Sequence, residues 1–231
     1  IEAYEAAASR LATDGSLYAR ALMAGPFTPG GYGMCYYAPP FGVAMLPLSG
    51  LAIGEAAAAW YFIKVGALLV ACLLLPVKLP VRALTFTCVS LSAWVLHDLI
   101  LGNVGILLLL PLAAAWRWLD RPAGSIAAAV AISIRPSLGA ILAWQLLRRR
   151  WRIAAWTIGA GSVLMVLSLP FVGIEGYREY ITVIGNLQVP GAGSDNRDLG
   201  STIVSLGLDQ RWLGLVRLAS IALGLGLIVA G

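Results

Sequence analysis

Residues Ile106–Ala115 read ILLLLPLAAA and residues Ile126–Ile134 read IAAAVAISI, with no charge in either block. Leu68–Leu75, LLVACLLL, is a third such run. None alternates apolar with polar residues, as a strand with one wet face does. A hydrocarbon core roughly 30 Å thick takes about 20 apolar residues per helix, and the backbone inside it must satisfy its own hydrogen bonds. The runs therefore predict an all-α, polytopic bundle of transmembrane helices in a lipid bilayer.

Composition agrees. Of 231 residues, 60% are hydrophobic and 12% charged, where a soluble domain carries about 25% charged residues. Mean hydropathy is +0.85. The formal charge of +5 sits in short clusters between apolar blocks, a topology signal and not the footprint of a nucleic-acid partner. Cys35, Cys72 and Cys88 have neither metal-ligand nor paired spacing. His97 is the only histidine, which excludes a His-rich metal site within these residues. Walker, dinucleotide-glycine, HExxH and GxSxG patterns are absent from the sequence, and neither a metal nor a cofactor is expected.

Outward from the apolar runs, the chain reads as one membrane domain. Residues 1–56 form an outer segment. In it, Glu2–Ala12 is expected to be an amphipathic helix lying at the interface, with Tyr4, Ala7, Ala8 and Leu11 on one face. Asp14-Gly15 stops it, Gly25–Gly33 is a Gly/Pro-rich loop, and Tyr32, Tyr36 and Tyr37 follow. Phe41–Ile53 is too short to span and is expected to be a re-entrant helix. Spans are drawn at 57–75, 84–101, 104–119, 124–134, 137–147, 153–172 and 213–231, with an outer loop at 173–212. The pair 124–134 and 137–147 is either one kinked helix or a shallow hairpin. A hairpin puts Arg117, Arg121 and Arg148–Arg152 on one side with Lys78 and Arg82, and ten of the eleven acidic residues on the other; the positive-inside rule favours it. The start at Ile1 and the stop at Gly231 inside an apolar run are what a portion of a longer chain shows, with further helices expected at either end.

Polar residues then gather at the outer face. His97-Asp98, before Gly102-Asn103, is either a helix end reaching headgroups or a functional pair, since ionisable groups at membrane depth are costly. Arg135, between Ile134 and Pro136, is either a snorkelling surface charge or a phosphate ligand, for which a guanidinium is suited. GAGSDNRDLG at 191–200 is a solvated turn or a binding loop. Glu2 and Glu5 suit a helix N-terminus.

The order of these features resembles glycosyltransferase family 87, polyprenyl-phosphate-mannose-dependent mannosyltransferases of GT-C architecture. The resemblance is carried by Tyr4-Glu5-Ala6-Ala7 with Leu11, Gly15 and Tyr18, and by Tyr37-Ala38-Pro39-Pro40-Phe41 followed by Leu46-Pro47-Leu48. Further along it is carried by Leu101-Gly102-Asn103-Val104-Gly105, by Ala131–Pro136, by Leu146–Trp151 and by Asn196–Gly200. Asn103 stands where Gln is usual, Gly105 where Asn is usual, and Arg135 replaces Lys. The resemblance implies a donor of polyprenyl-phosphate-linked sugar, an acceptor lipid or glycan, and an active face turned to the periplasm or exterior of a plasma or inner membrane. It implies that Arg135 binds the donor phosphate and that Tyr4, Tyr36, Tyr37, Pro39, Pro40, His97, Asn103, Asn196 and Arg197 shape the substrate site. The family's catalytic Asp falls at or just before Ile1, leaving Asp98 and Asp195 as alternative bases. A flippase or transporter of a lipid-linked substrate, or a non-enzymatic subunit of envelope assembly, are the rival functions.

Overall fold

The computed structural model describes residues 1–27 and 34–187, with Leu215, Ala219 and Gly226 beyond them. Helix α1, Glu2–Asp14, buries Tyr4, Ala7, Ala8 and Leu11, the face predicted from their spacing, and Gly15 (φ 70°) closes it. Its apolar face is taken up by protein where lipid contact is expected. Tyr4 meets the rings of Tyr37, Phe41 and Trp60 at 5.6, 5.7 and 5.3 Å. After the single turn of α2, Arg20–Met23, the outer segment continues through α3, Pro39–Ala44, and a 3-10 turn, Leu46–Gly50. The single re-entrant helix expected over Phe41–Ile53 is thus two short pieces. Pro47 has no N–H to return to the previous turn, so the α-helical ladder stops.

The bundle follows: α4, Ile53–Leu74; α5, Leu79–Ser90; α6, Ala93–Leu101; α7, Gly105–Arg117; α8, Pro122–Ile134; α9, Ala140–Leu147, after a 3-10 turn at Pro136–Gly139; and α10, Trp151–Asn186. By length and composition α4 and α10 can cross a membrane alone, and α5 with α6 make a third span if counted together. That third span, expected as one helix at 84–101, bends by 60°. Ser92 makes the break: its hydroxyl accepts from Val95 N (3.3 Å) and donates to Val89 O (2.7 Å), ending one helix and capping the next.

Residues 174–186, read from sequence as part of an outer loop, are helical and continue α10 past a kink at Gly173 (φ 64°, ψ −176°). Glu179, Tyr180 and Asn186 are held by the outer segment. Ser16 Oγ donates to Glu179 Oε2 at 3.0 Å, and the rings of Tyr18 and Tyr180 stack at 6.0 Å. Asn186 Nδ2 donates to the carbonyls of Leu22 and Met23. The loop at 191–200 lies outside the described residues, as does the span at 213–231 apart from Leu215, Ala219 and Gly226.

Two observations fix the arrangement of the rest. Arg150 Nη1 bonds Asp120 Oδ1 at 2.6 Å, so the α7–α8 and α9–α10 turns share one end. The two arginine clusters therefore lie together, as the hairpin requires and a single kinked helix forbids. At the other end, one core unites Tyr4, Phe41, Trp60, Val104, Ile134 and Val172. It joins the outer segment to α4, α7, α8 and α10.

Gly173 occupies backbone space that is almost reserved for glycine, and nothing lies within 4 Å of an added Cβ. Gly173→Ala therefore isolates backbone strain and is expected to cost about 1–3 kcal/mol. Gly159→Ala, equally uncrowded but inside regular helix, should leave stability unchanged or raise it. Thermal unfolding of the two variants in one detergent checks the contrast.

Candidate functional site

Arg135 is placed by its neighbour. A residue before proline is driven out of the α region, and Arg135 accordingly ends α8 with φ −133° and ψ 97°. Its side chain is exposed and takes part in no ion pair among the described residues. Burial pushes the Tyr36 and Tyr37 phenols up from their ordinary range, and the nearby Arg135 charge pulls both back. The two rings stack at 5.6 Å with an interplanar angle of 9°. Tyr37 is fixed from two sides: its carbonyl accepts from Tyr18 Oη at 2.7 Å and its hydroxyl from Tyr4 Oη at 3.4 Å.

Beside this group lies a groove of about 440 Å³, lined by Pro40, Phe41, Leu107, Pro111, Val130 and Ile134 among others, nearly all apolar. Ile134 and Pro40 connect it to Arg135 and to the Tyr36-Tyr37 pair along the chain. A cation and two phenols that neighbour the lining of an apolar groove along the chain suit an amphiphile with an anionic head. Arg135, Tyr36, Tyr37 and Pro40 are thus brought together. Pro39 is buried at the first turn of α3 and Tyr4 is buried in the aromatic cluster, so both support the site from behind. His97 is exposed on α6 and Asn103 is exposed in the α6–α7 turn. Asp195, Asn196 and Arg197 lie outside the described residues.

Asp98 has a partner that sequence reading missed. Lys64, midway along α4, has a side chain with no solvent exposure, and its ammonium pairs with Asp98 Oδ1. Lys64 Nζ also donates to the Asp98 carbonyl at 2.6 Å. One turn nearer the outer end, Trp60 Nε1 donates to Gly102 O at 2.9 Å. A Cβ at Gly105 would run into Asp98 Oδ2, so glycine there gives the carboxylate its room. Gly102 has φ 69° and closes α6 against the backbone of Ile1. The signal for Lys64 was available: a lone lysine inside the apolar run of α4.

The pair engages the Asp98 charge, which argues for an anchoring role over proton acceptance. Asp98→Asn strands a buried ammonium and is expected to cost about 3–5 kcal/mol of stability. Lys64→Met leaves a carboxylate that is 17% exposed and should cost less, and the double variant should recover most of the loss. Denaturant titration of the three proteins checks the order; additive losses would refute the coupling.

Residues 36–231 match the profile of glycosyltransferase family 87, and the Tyr4–Tyr18 stretch precedes the matched region. No curated protein and no solved structure matches the chain. A profile match over well more than half of the chain, on a helical bundle with membrane-length apolar helices, shows that the chain belongs to glycosyltransferase family 87.

Proposed function

We propose that this membrane glycosyltransferase takes a sugar, mannose by the family resemblance, from a polyprenyl-phosphate donor. The acceptor is a lipid or glycan at the face opposite the arginine clusters, the outer side of a plasma or inner membrane. The observation that carries the reading is Arg135, a cation with no ionic partner among the described residues, next in the chain to Ile134 in the lining of an apolar groove. The groove suits the first isoprene units and Arg135 the phosphate.

In the transfer, an acceptor hydroxyl oxygen bonds the anomeric carbon as the bond from that carbon to the phosphate oxygen breaks. The hydroxyl proton goes to a carboxylate base, and the bonding pair leaves with the phosphate. Arg135 stabilises the charge that grows on that phosphate. Tyr36 and Tyr37, held protonated by burial, are placed to donate to sugar or phosphate oxygens, with His97, Asn103, Asn196 and Arg197 as further substrate contacts. The base is a carboxylate, for which Asp195 is the candidate in this sequence; Asp98, paired with Lys64, anchors the α6–α7 turn.

A transporter of a lipid-linked substrate has two observations in its favour, the bend between α5 and α6 and the charge pair inside the bundle. The family match weighs against it. Full-length protein in nanodiscs, given radiolabelled polyprenyl-phosphate-mannose and a membrane lipid extract, separates the two. Label should move into a new lipid or glycan. Arg135→Ala should reduce turnover on the order of 10- to 100-fold, the loss of one charge-assisted contact, with Arg135→Lys recovering part of it. Folded protein that transfers no label from any polyprenyl-phosphate sugar overturns the donor assignment.

A further inference from the structure

We propose that the open groove between α7 and α9, at the arginine-rich end of the bundle, is a binding site for an anionic phospholipid. One acyl chain lies in the groove and the phosphate lies among the arginines. It shares no lining residue with the groove beside Arg135. It holds about 350 Å³ and is lined by Leu112, Trp116, Leu119, Ala140, Ile141 and Trp144, with Ala115 at its base.

Its mouth is basic. The Arg150 guanidinium lies over the Trp144 ring, 5.0 Å from the centroid, and bonds Asp120, the residue after Leu119, at 2.6 Å. One such bond leaves most of the five N–H donors of a guanidinium for another acceptor. Arg117, Arg121, Arg148, Arg149 and Arg152 occupy the same two turns or their edges, and all five are exposed. Asp120 is the only acid among them, so six cations face one carboxylate. Exposed Trp116 and Trp151, each at 63%, put an aromatic belt at this end, the mark of headgroup depth. Basic pockets between helices at that depth suit lipid phosphates.

Charge selects the occupant. A second copy docked through the same face would oppose arginine to arginine. A zwitterionic lipid fills the groove equally well but brings no net charge to the arginines. An anionic phospholipid satisfies both halves of the site.

The test uses the full chain in nanodiscs of equimolar palmitoyl-oleoyl phosphatidylglycerol and phosphatidylcholine, with retained lipid counted by native mass spectrometry after release into detergent. Phosphatidylglycerol should be retained with roughly fivefold preference or more, the contribution of one arginine near a charged headgroup. Arg148→Gln/Arg150→Gln should bring the ratio close to one. Ala140→Phe fills the groove while keeping every arginine, and it should lose the retained lipid. No preference in the unsubstituted chain overturns the proposal, whether or not the arginine variant folds. So does a full preference in Ala140→Phe, which means diffuse charge alone, and so does a lipid-free dimer, which puts a second copy on the groove.

Discussion

A fully buried ammonium in the middle of an apolar helix cannot be left alone, and that requirement organises this molecule. Burying one charge unpaired costs several kcal/mol, so Lys64 dictates that an anion approach α4 at mid-depth. Asp98 does so from α6, and the Asp98 carbonyl accepts a second bond from the same ammonium. With α6 held there, the α6–α7 turn has one position, and Trp60 locks it through Gly102. Trp60 in turn forms the floor on which Tyr4 and Phe41 pack. A polar contact inside the bundle thus sets the seat of the aromatic cluster, and the cluster seats the outer segment that carries Tyr36 and Tyr37.

Prolines and glycines shape what the charge pair positions. Pro136 turns Arg135 out of the helix, Pro47 breaks the outer segment into turns, and Gly173 redirects α10 so that its second half meets Tyr18 and Ser16. Local backbone chemistry does the aiming, while close packing and hydrogen bonds between helices hold the result.

Much of this was legible in the residues. The α1 face follows from 3.6-residue spacing, and the hairpin follows from counting arginines, because charge asymmetry reports which ends coincide without any knowledge of contacts. Arg135 was legible because a charge between two apolar blocks has few reasons to be there. Three features were not read. Lys64 was overlooked because one lysine hardly changes the hydropathy of a 22-residue helix. The break at Ser92 was hidden because serine is as compatible with a helix interior as with a cap, and only tertiary packing chooses. Residues 174–186 resembled a loop because Glu175, Arg178 and Glu179 are polar, yet Arg178 and Glu175 pair at i,i+3 with 3.0 Å between them, and the face that carries Gly176 and Val183 is buried against protein.

Helix length has a consequence for the depth of the candidate site. Helix α8 has 13 residues, a rise of about 20 Å at 1.5 Å per residue. Arg121 precedes its first residue and belongs to the cluster that marks headgroup level. A hydrocarbon core is roughly 30 Å thick, so the Arg135 backbone stops roughly 10 Å short of the far boundary, less what the side chain gains by snorkelling. The outer segment packs its buried Tyr4, Tyr18 and Phe41 into one core with Ile134, the residue before Arg135. A cation at that depth, with its side chain open and not covered by protein, is reached poorly by a water-soluble sugar nucleotide, whose whole headgroup must leave water. An amphiphile already in the bilayer reaches it by lateral diffusion, its tail in the apolar groove and only its phosphate drawn to the guanidinium. The shortness of α8 thus suits the lipid-linked donor proposed above, on grounds separate from the groove's lining.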